Sequence, residues 1–392
     1  MSRNKGNKSY IFLILSLAIY LVLKMQRGFT VSEVEGGVWN AIQVMYVVLG
    51  LFVLCSNERS YLSFSFVRHY LTFFIYIWVL SFFVIAFKSF SVTDMFRLLM
   101  VPYGVMCMLP FYYVGLKTDI KKYPLILYSA FIIISYILFT SLGQYYTIAN
   151  SDYGALADLY YILGLLPIIF IYTPQKFRII PFLIACAAVM MSAKRTGFLA
   201  LGCIMVLYFL SSDSGNKSLI KRLIIFSIVC VASFFIIDNL TDTYGLTMLE
   251  RLQSIEEDGG SGRFDMWNII INAIDNDSSF IEILVGHGYH SSFKLGDGHV
   301  HNDFLEIFYD YGIIAFVLYV LFYASIIKEC VKMYKRKFQY AKEFMVAIII
   351  SLFLAMFSWY AIECTHITCC SACIGLILAE WYKYQHEKNR LG

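Results

Sequence analysis

Charge is what this chain has least of. Only 15% of its 392 residues are charged, against about 25% in soluble domains, while 59% are hydrophobic and 18% aromatic and the mean hydropathy is +0.68. That balance excludes a water-soluble globule. The apolar residues fall in long blocks, several of which reach the ~20 residues that cross a bilayer as a helix, so the chain reads as all-α and polytopic. Proline is scarce, six in all, and no Gly, Ser or Pro-rich tract marks a linker; residues 1–392 therefore read as a single integral membrane domain. A net charge of +4, with most basic residues in short loops between apolar blocks, gives no surface for a nucleic acid. Nor do the ten cysteines suggest a disulfide framework. Most lie inside apolar blocks, where a thiol behaves as a small hydrophobe. Cys370 and Cys373 form a C-x-x-C with no second pair after it, so packing is favoured there over zinc. No small-residue cleavage site precedes Lys24, and the first apolar run reads as a retained span.

Apolar runs fall near residues 10–23, 38–56, 68–87, 95–116, 124–142, 155–172, 178–193, 196–210, 223–238, 303–327, 344–361 and 366–382, which predicts about 12 transmembrane helices. With the basic N-terminus placed in the cytoplasm, 22 of the 31 lysines and arginines face inward and 20 of the 27 acidic residues face outward. The positive-inside rule then holds with both termini cytoplasmic. One long connection, 239–302, falls on the outer side. Its apolar cluster Leu246, Met248, Leu249 and Leu252 argues against disorder. Phe264, Trp267, Ile271 and Ile274 recur as on one helix face, which predicts an interfacial helix in a structured lid.

The cations that break the charge rule are the informative ones. Lys24, Arg27 and Lys88 read as snorkelling interfacial residues. Lys194 and Arg195 are adjacent in a tight outer turn, Met191-Ser192-Ala193-Lys194-Arg195-Thr196-Gly197; two cations there oppose insertion, and an anionic partner accounts for them better than a structural ion pair. Arg97 either pairs with Asp94 or faces a polar cavity. Arg263 opens the interfacial helix, where backbone N–H groups favour an anion and the guanidinium fork suits phosphate oxygens; a surface salt bridge to Asp265 or Glu257 is the alternative.

His287, His290, His299 and His301 lie close together near the end of the loop. Four glycines interrupt them and no H-E-x-x-H pattern is present, so no metal is assigned. His301 precedes Asn302 and Asp303, either of which can cap the following helix while the imidazole points across the outer mouth and takes a proton from a hydroxyl. Asp303, Glu306 and Asp310 then stand at i, i+3 and i+7. Carboxylates at that depth are expected to face a water-filled cavity, where they could bind sugar hydroxyls, pair with Arg195 or Arg263, or share base chemistry with His301.

His301-Asn302, nine intervening residues and Gly312, followed by Ile313-Ile314-Ala315, resembles the histidine motif of bacterial O-antigen ligases and O-antigen polymerases of the Wzy type; Ala315 stands where a second glycine is usual. Gly286-His287-Gly288 looks like that family's glycine stretch, and Ser261-Gly262-Arg263 with Trp267 like its arginine-and-tryptophan stretch. Lys194-Arg195-Thr196-Gly197 is similar to its Ser-Arg-Gly turn, with Ser192 displaced by two residues. The motifs cover residues 190–315.

The resemblance implies a GT-C-like membrane glycosyltransferase in a bacterial inner membrane, its site facing outward. Its donor and acceptor would be undecaprenyl-pyrophosphate-linked glycans, with membrane lipid around it and a chain-length regulator as a candidate protein partner. It implies inverting transfer without a cofactor or metal ion. Arg195 and Arg263 would hold the pyrophosphate and His301 would deprotonate or orient the acceptor hydroxyl. Lys194, Arg97, Asn302, Asp303, Glu306, Asp310 and His299 would line the substrate site. An O-antigen polymerase is favoured over a ligase that transfers to lipid A-core. A flippase is the reading from another class; it should carry its charges near the midplane in paired broken helices, and no internal repeat is visible.

Overall fold

The computed structural model describes residues 2–26, 33–57, 59–85, 98, 100–148, 159–191, 195–206, 262–276, 278–296, 300–358 and 367–391. The described residues are helical and contain no strand. The helices are α1 (Ser2–Gln26), α2 (Glu33–Cys55), α3 (Ser65–Ile85), α4 (Tyr103–Lys117), α5 (Pro124–Ile148), α6 (Leu159–Tyr172), α7 (Ile179–Met191) and α8 (Arg195–Ile204). After these come α9 (Arg263–Asn276), α10 (Phe280–Val285), α11 (Ser291–Gly296), α12 (Asp303–Lys335), α13 (Ala341–Phe357) and α14 (Thr368–Leu391).

A helix stands at each expected apolar run except 223–238, which lies outside the described residues, as does the Leu246 to Leu252 cluster. Among the described residues three stretches are long and apolar enough to cross a membrane: Val38–Cys55, Ser65–Phe83 and Asp303–Lys335. Asn7–Leu23, Pro124–Tyr136 and Leu159–Tyr172 are shorter apolar helices. The chain is a membrane protein. Helix α12 runs beyond the expected 327 to Lys335 because its end is anchored: Glu329 accepts a hydrogen bond from Trp381 Nε1 at 2.7 Å and pairs with Lys332 at 2.9 Å. Lys332 and Lys335 also sit where the helix dipole favours cations.

The chain clusters into two compact units, one of residues 1–42, 117–253 and 342–350, the other of 43–116, 254–341 and 351–392. In the first, α1 packs along α5, and α6 lies against α7. Its polar groups are satisfied internally, as a low-dielectric interior requires. Tyr10 donates to the Ile120 carbonyl at 2.7 Å, and Arg178 joins buried Glu343 at 2.7 Å while its Nε reaches the Thr173 carbonyl.

In the second unit α3 and α12 run antiparallel, zipped by aromatic rings. Tyr70 meets Phe322 at 5.0 Å and Phe73 meets Tyr319 at 5.4 Å, so one chain number rises as the other falls. Such ring pairs add to area burial. Cys369, Cys370 and Cys373 of α14 are buried in this unit.

Helix α9 forms where the spacing of Phe264, Trp267, Ile271 and Ile274 predicts it, but its packed face is turned. Ile270 and Ala273 are buried against Val300 and Tyr309, with Trp267 and Ile274 beside them. Phe264 and Ile271 stay exposed. The physical reason is the partner: α9 rests on α12 and the segment leading into it, and that contact selects the 267, 270, 274 stripe.

Candidate functional site

The site is built on a break in α12. Gly312 has φ 78° and ψ −179° inside an otherwise helical run, a region open in practice only to glycine. The break frees carbonyls that the helix would otherwise use. Two are taken by the loop: His287 N–H donates to the Tyr309 carbonyl at 3.0 Å and Gly288 N–H to the Asp310 carbonyl at 2.8 Å.

Gly286 makes the approach possible. It too has positive φ, 83°, and a Cβ there would lie 2.2 Å from the Asp310 carbonyl oxygen. Reciprocally, a Cβ on Gly312 would lie 2.4 Å from the Leu284 oxygen. The two glycines therefore interlock, each leaving room for the other's backbone. One comes from the glycine stretch and the other ends the histidine motif, so motifs separated in sequence are two halves of one joint.

A second link joins the arginine-and-tryptophan stretch to the same place. Trp267 Nε1 donates to the Val300 carbonyl at 2.9 Å, and Val300 is fully buried in the cluster beneath α9. The next residue, His301, adopts φ 55° and is half-buried. Asn302 follows as the N-cap of α12, its Oδ1 accepting from Phe304 N at 3.0 Å and Leu305 N at 3.2 Å. The imidazole of His301 thus rises from a short turn fixed on one side by the indole and on the other by the cap. Arg263 is half-buried and opens α9 one turn before Trp267, on the same side of the helix.

The three carboxylates of α12 share a stripe, as their spacing predicts, but they are packed rather than lining open water. Asp303, Glu306 and Asp310 are each 2% exposed or less. Asp303 accepts from Tyr319 Oη at 2.8 Å, across the kink from the far half of α12. Asp310 accepts from Ser292 N at 2.7 Å and so holds α11. The expected water-filled cavity is replaced by this packing, because Tyr319 and the start of α11 fill the space in front of two of the acids.

His287 is fully engaged. Its Nε2 lies 2.9 Å from Ser278 Oγ, its Nδ1 3.5 Å from Glu282, and its ring stacks on Tyr309 at 4.2 Å. His290 packs edge-on against Tyr289 and Phe293. Among the described residues no group of three His, Cys, Asp or Glu side chains could hold a metal ion. Glu282 has its carboxyl held below the usual range, first by the hydrogen bonds it shares with Ser279 and further by His287.

Arg195 opens α8 in the other unit, and its side chain is outside the description. Lys194, Arg97 and His299 lie outside the described residues. The spacing of motifs gave no sign of Tyr319, Tyr309 or Ser292, whose roles depend on residues 16 to 22 positions away or on a backbone N–H.

The geometry joins motifs that in sequence stand alone, and the comparison with known proteins covers the same stretch. Residues 180–320 match the O-antigen ligase family model. The family resemblance is thereby shown. All four motifs, from the Lys194-Arg195 turn to Gly312, fall inside the matched residues. No curated protein sequence matches the chain. Within the family region, the contacts described above bring the glycine, arginine-and-tryptophan and histidine motifs of the second unit to the two ends of one nine-residue segment, 303–311.

Proposed function

We propose that the protein is an O-antigen polymerase that joins undecaprenyl-pyrophosphate-linked repeat units by inverting glycosyl transfer. In this reading the acceptor hydroxyl gives its proton to His301, its oxygen attacks the anomeric carbon, and the bond from that carbon to the pyrophosphate breaks. Negative charge develops on the departing phosphate oxygen, and Arg263 neutralises it, the part a divalent cation has elsewhere. The role given to Arg195 rests on its motif. The observation that carries the reading is the Trp267 to Val300 hydrogen bond, which ties the helix bearing Arg263 to the turn bearing His301 within the matched family region.

The family name favours a second reading, a ligase that transfers the finished glycan to lipid A-core. An immunoblot of surface polysaccharide from a deletion strain separates the two. A single repeat unit on core supports the polymerase; core with no repeat supports the ligase. Restoration of the long chains by Arg263→Ala and His301→Ala variants, expressed at wild-type level, would overturn the site assignment and favour a transporter.

A further inference from the structure

Helix α10, Phe280–Val285, carries one charged residue and five apolar ones, yet it does not turn them inward. Phe280 is 78% exposed and Ile281 68%. Ile283 and Leu284 are exposed as well. Exposed apolar groups concentrated this way mark a contact surface. The helix is not a frayed end. Ser279 and Glu282 form a capping box at its start, with Ser279 N to Glu282 Oε2 at 2.8 Å, and the Gly286–Gly312 joint clamps its finish.

That joint also sets its height relative to the membrane. Gly312 lies nine residues into α12, about 14 Å from Asp303 along the axis at ~1.5 Å per residue. The uncharged part of α12 after it, 313–327, extends about 22 Å at the same rise and is followed by Lys328, Lys332 and Lys335, whose long side chains can reach the far interface. Its outward residues Ile314, Val317 and Leu321 are apolar and exposed, as lipid-facing positions should be. The part before it holds buried Asp303, Glu306 and Asp310 and is wrapped by α9 to α11, as a segment outside the hydrocarbon should be. Gly312 is therefore where the lipid-facing stretch begins, and α10 is clamped at that level.

We infer that α10 lies in the bilayer surface at the Asp303 end of α12, with Phe280 and Ile281 among the lipid acyl chains, and anchors the loop there. The occupant of the exposed face is bilayer lipid: α10 is clamped at the residue where the exposed apolar positions of α12 begin, and the single acid, Glu282, is drawn back toward Ser279 and His287. Short amphipathic helices seated this way bury their apolar face ~5–10 Å into the headgroup boundary. The consequence for the site is positional. His287 follows the clamp directly, so the joint stands at headgroup height. The inference does not depend on which reaction the protein performs.

The test uses the full chain in vesicles of phosphatidylethanolamine and phosphatidylglycerol, with benzoylphenylalanine placed singly at positions 280, 281 and 275. Asp275 is an exposed polar position of α9. Illumination followed by intact-mass measurement should show one added phospholipid at 280 and at 281, and little at 275. Covalent protein dimers, or no lipid adduct, at both 280 and 281 would overturn the inference, as would equal lipid labelling at all three positions.

Discussion

At the residue scale the account rests on a few positions whose neighbours leave no freedom. Gly312→Ala places a Cβ 2.4 Å from the Leu284 oxygen in a backbone region that costs on the order of 1–3 kcal/mol for other residues. The variant is expected to show a lower thermal midpoint in detergent and to lose polysaccharide, whereas Ala315→Gly should change neither severely. Trp267→Phe keeps most of the ring but removes the donor to Val300, leaving a carbonyl unsatisfied at a cost of about 1–3 kcal/mol. Activity per folded molecule should fall by roughly ten- to a hundredfold, since the turn that aims His301 loses its brace; an unchanged turnover would show that the indole only stabilises. Arg263, His301 and the three carboxylates stand out in the sequence as candidates, because polar and charged groups are rare in a membrane chain. Their surroundings were not. Tyr319 on Asp303 and Ser292 on Asp310 are pairings that only the folded joint creates, and nothing in local spacing announces them.

At the scale of elements, α1 to α8 and α12 to α14 stand at expected apolar runs and α9 at its expected periodicity, while α10, α11 and the orientation of α9 did not follow from the sequence pattern. Four apolar residues in α9 could face lipid or protein; contact with Val300 and Tyr309 decided for Ile270 and Ala273. The kink in α12 was hidden because the run of apolar residues continues straight through Gly312. Helix α10 offers a pH test. Glu282 has a folded-state pKa held below its unfolded value by Ser279, so its contribution is fully present above the unfolded value near ~4.3 and is lost as pH falls through the lower folded value. Hydrogen-exchange protection of the α10 amides, corrected for intrinsic rate, should be level from neutral pH down to about 5 and decline in more acidic buffer. Glu282→Ala should remove that decline and lower protection throughout.

At the scale of the whole molecule, scarcity of charge made a membrane protein evident, and the distribution of the few charges predicts how it sits. Alkaline phosphatase fused after residue 290 should be active, and fused after residue 121 inactive, if the long loop faces outward and the Lys121-Lys122 segment inward. The reverse pattern would invert the topology and remove His301 from the outer face. Among the described residues three helices are long and apolar enough to cross a membrane, and three shorter apolar helices accompany them.

The central claim is that one turn, held between Trp267 and the Asn302 cap, brings His301 to a lipid-linked acceptor while Arg263 takes the leaving charge. Purified protein in vesicles with an undecaprenyl-pyrophosphate repeat unit as both donor and acceptor tests it most directly, with products resolved by length. The account predicts dimers and longer chains from the wild type in the presence of EDTA, and a loss of at least about a hundredfold in Arg263→Ala and His301→Ala. Chains of wild-type length and rate from either folded variant would contradict it.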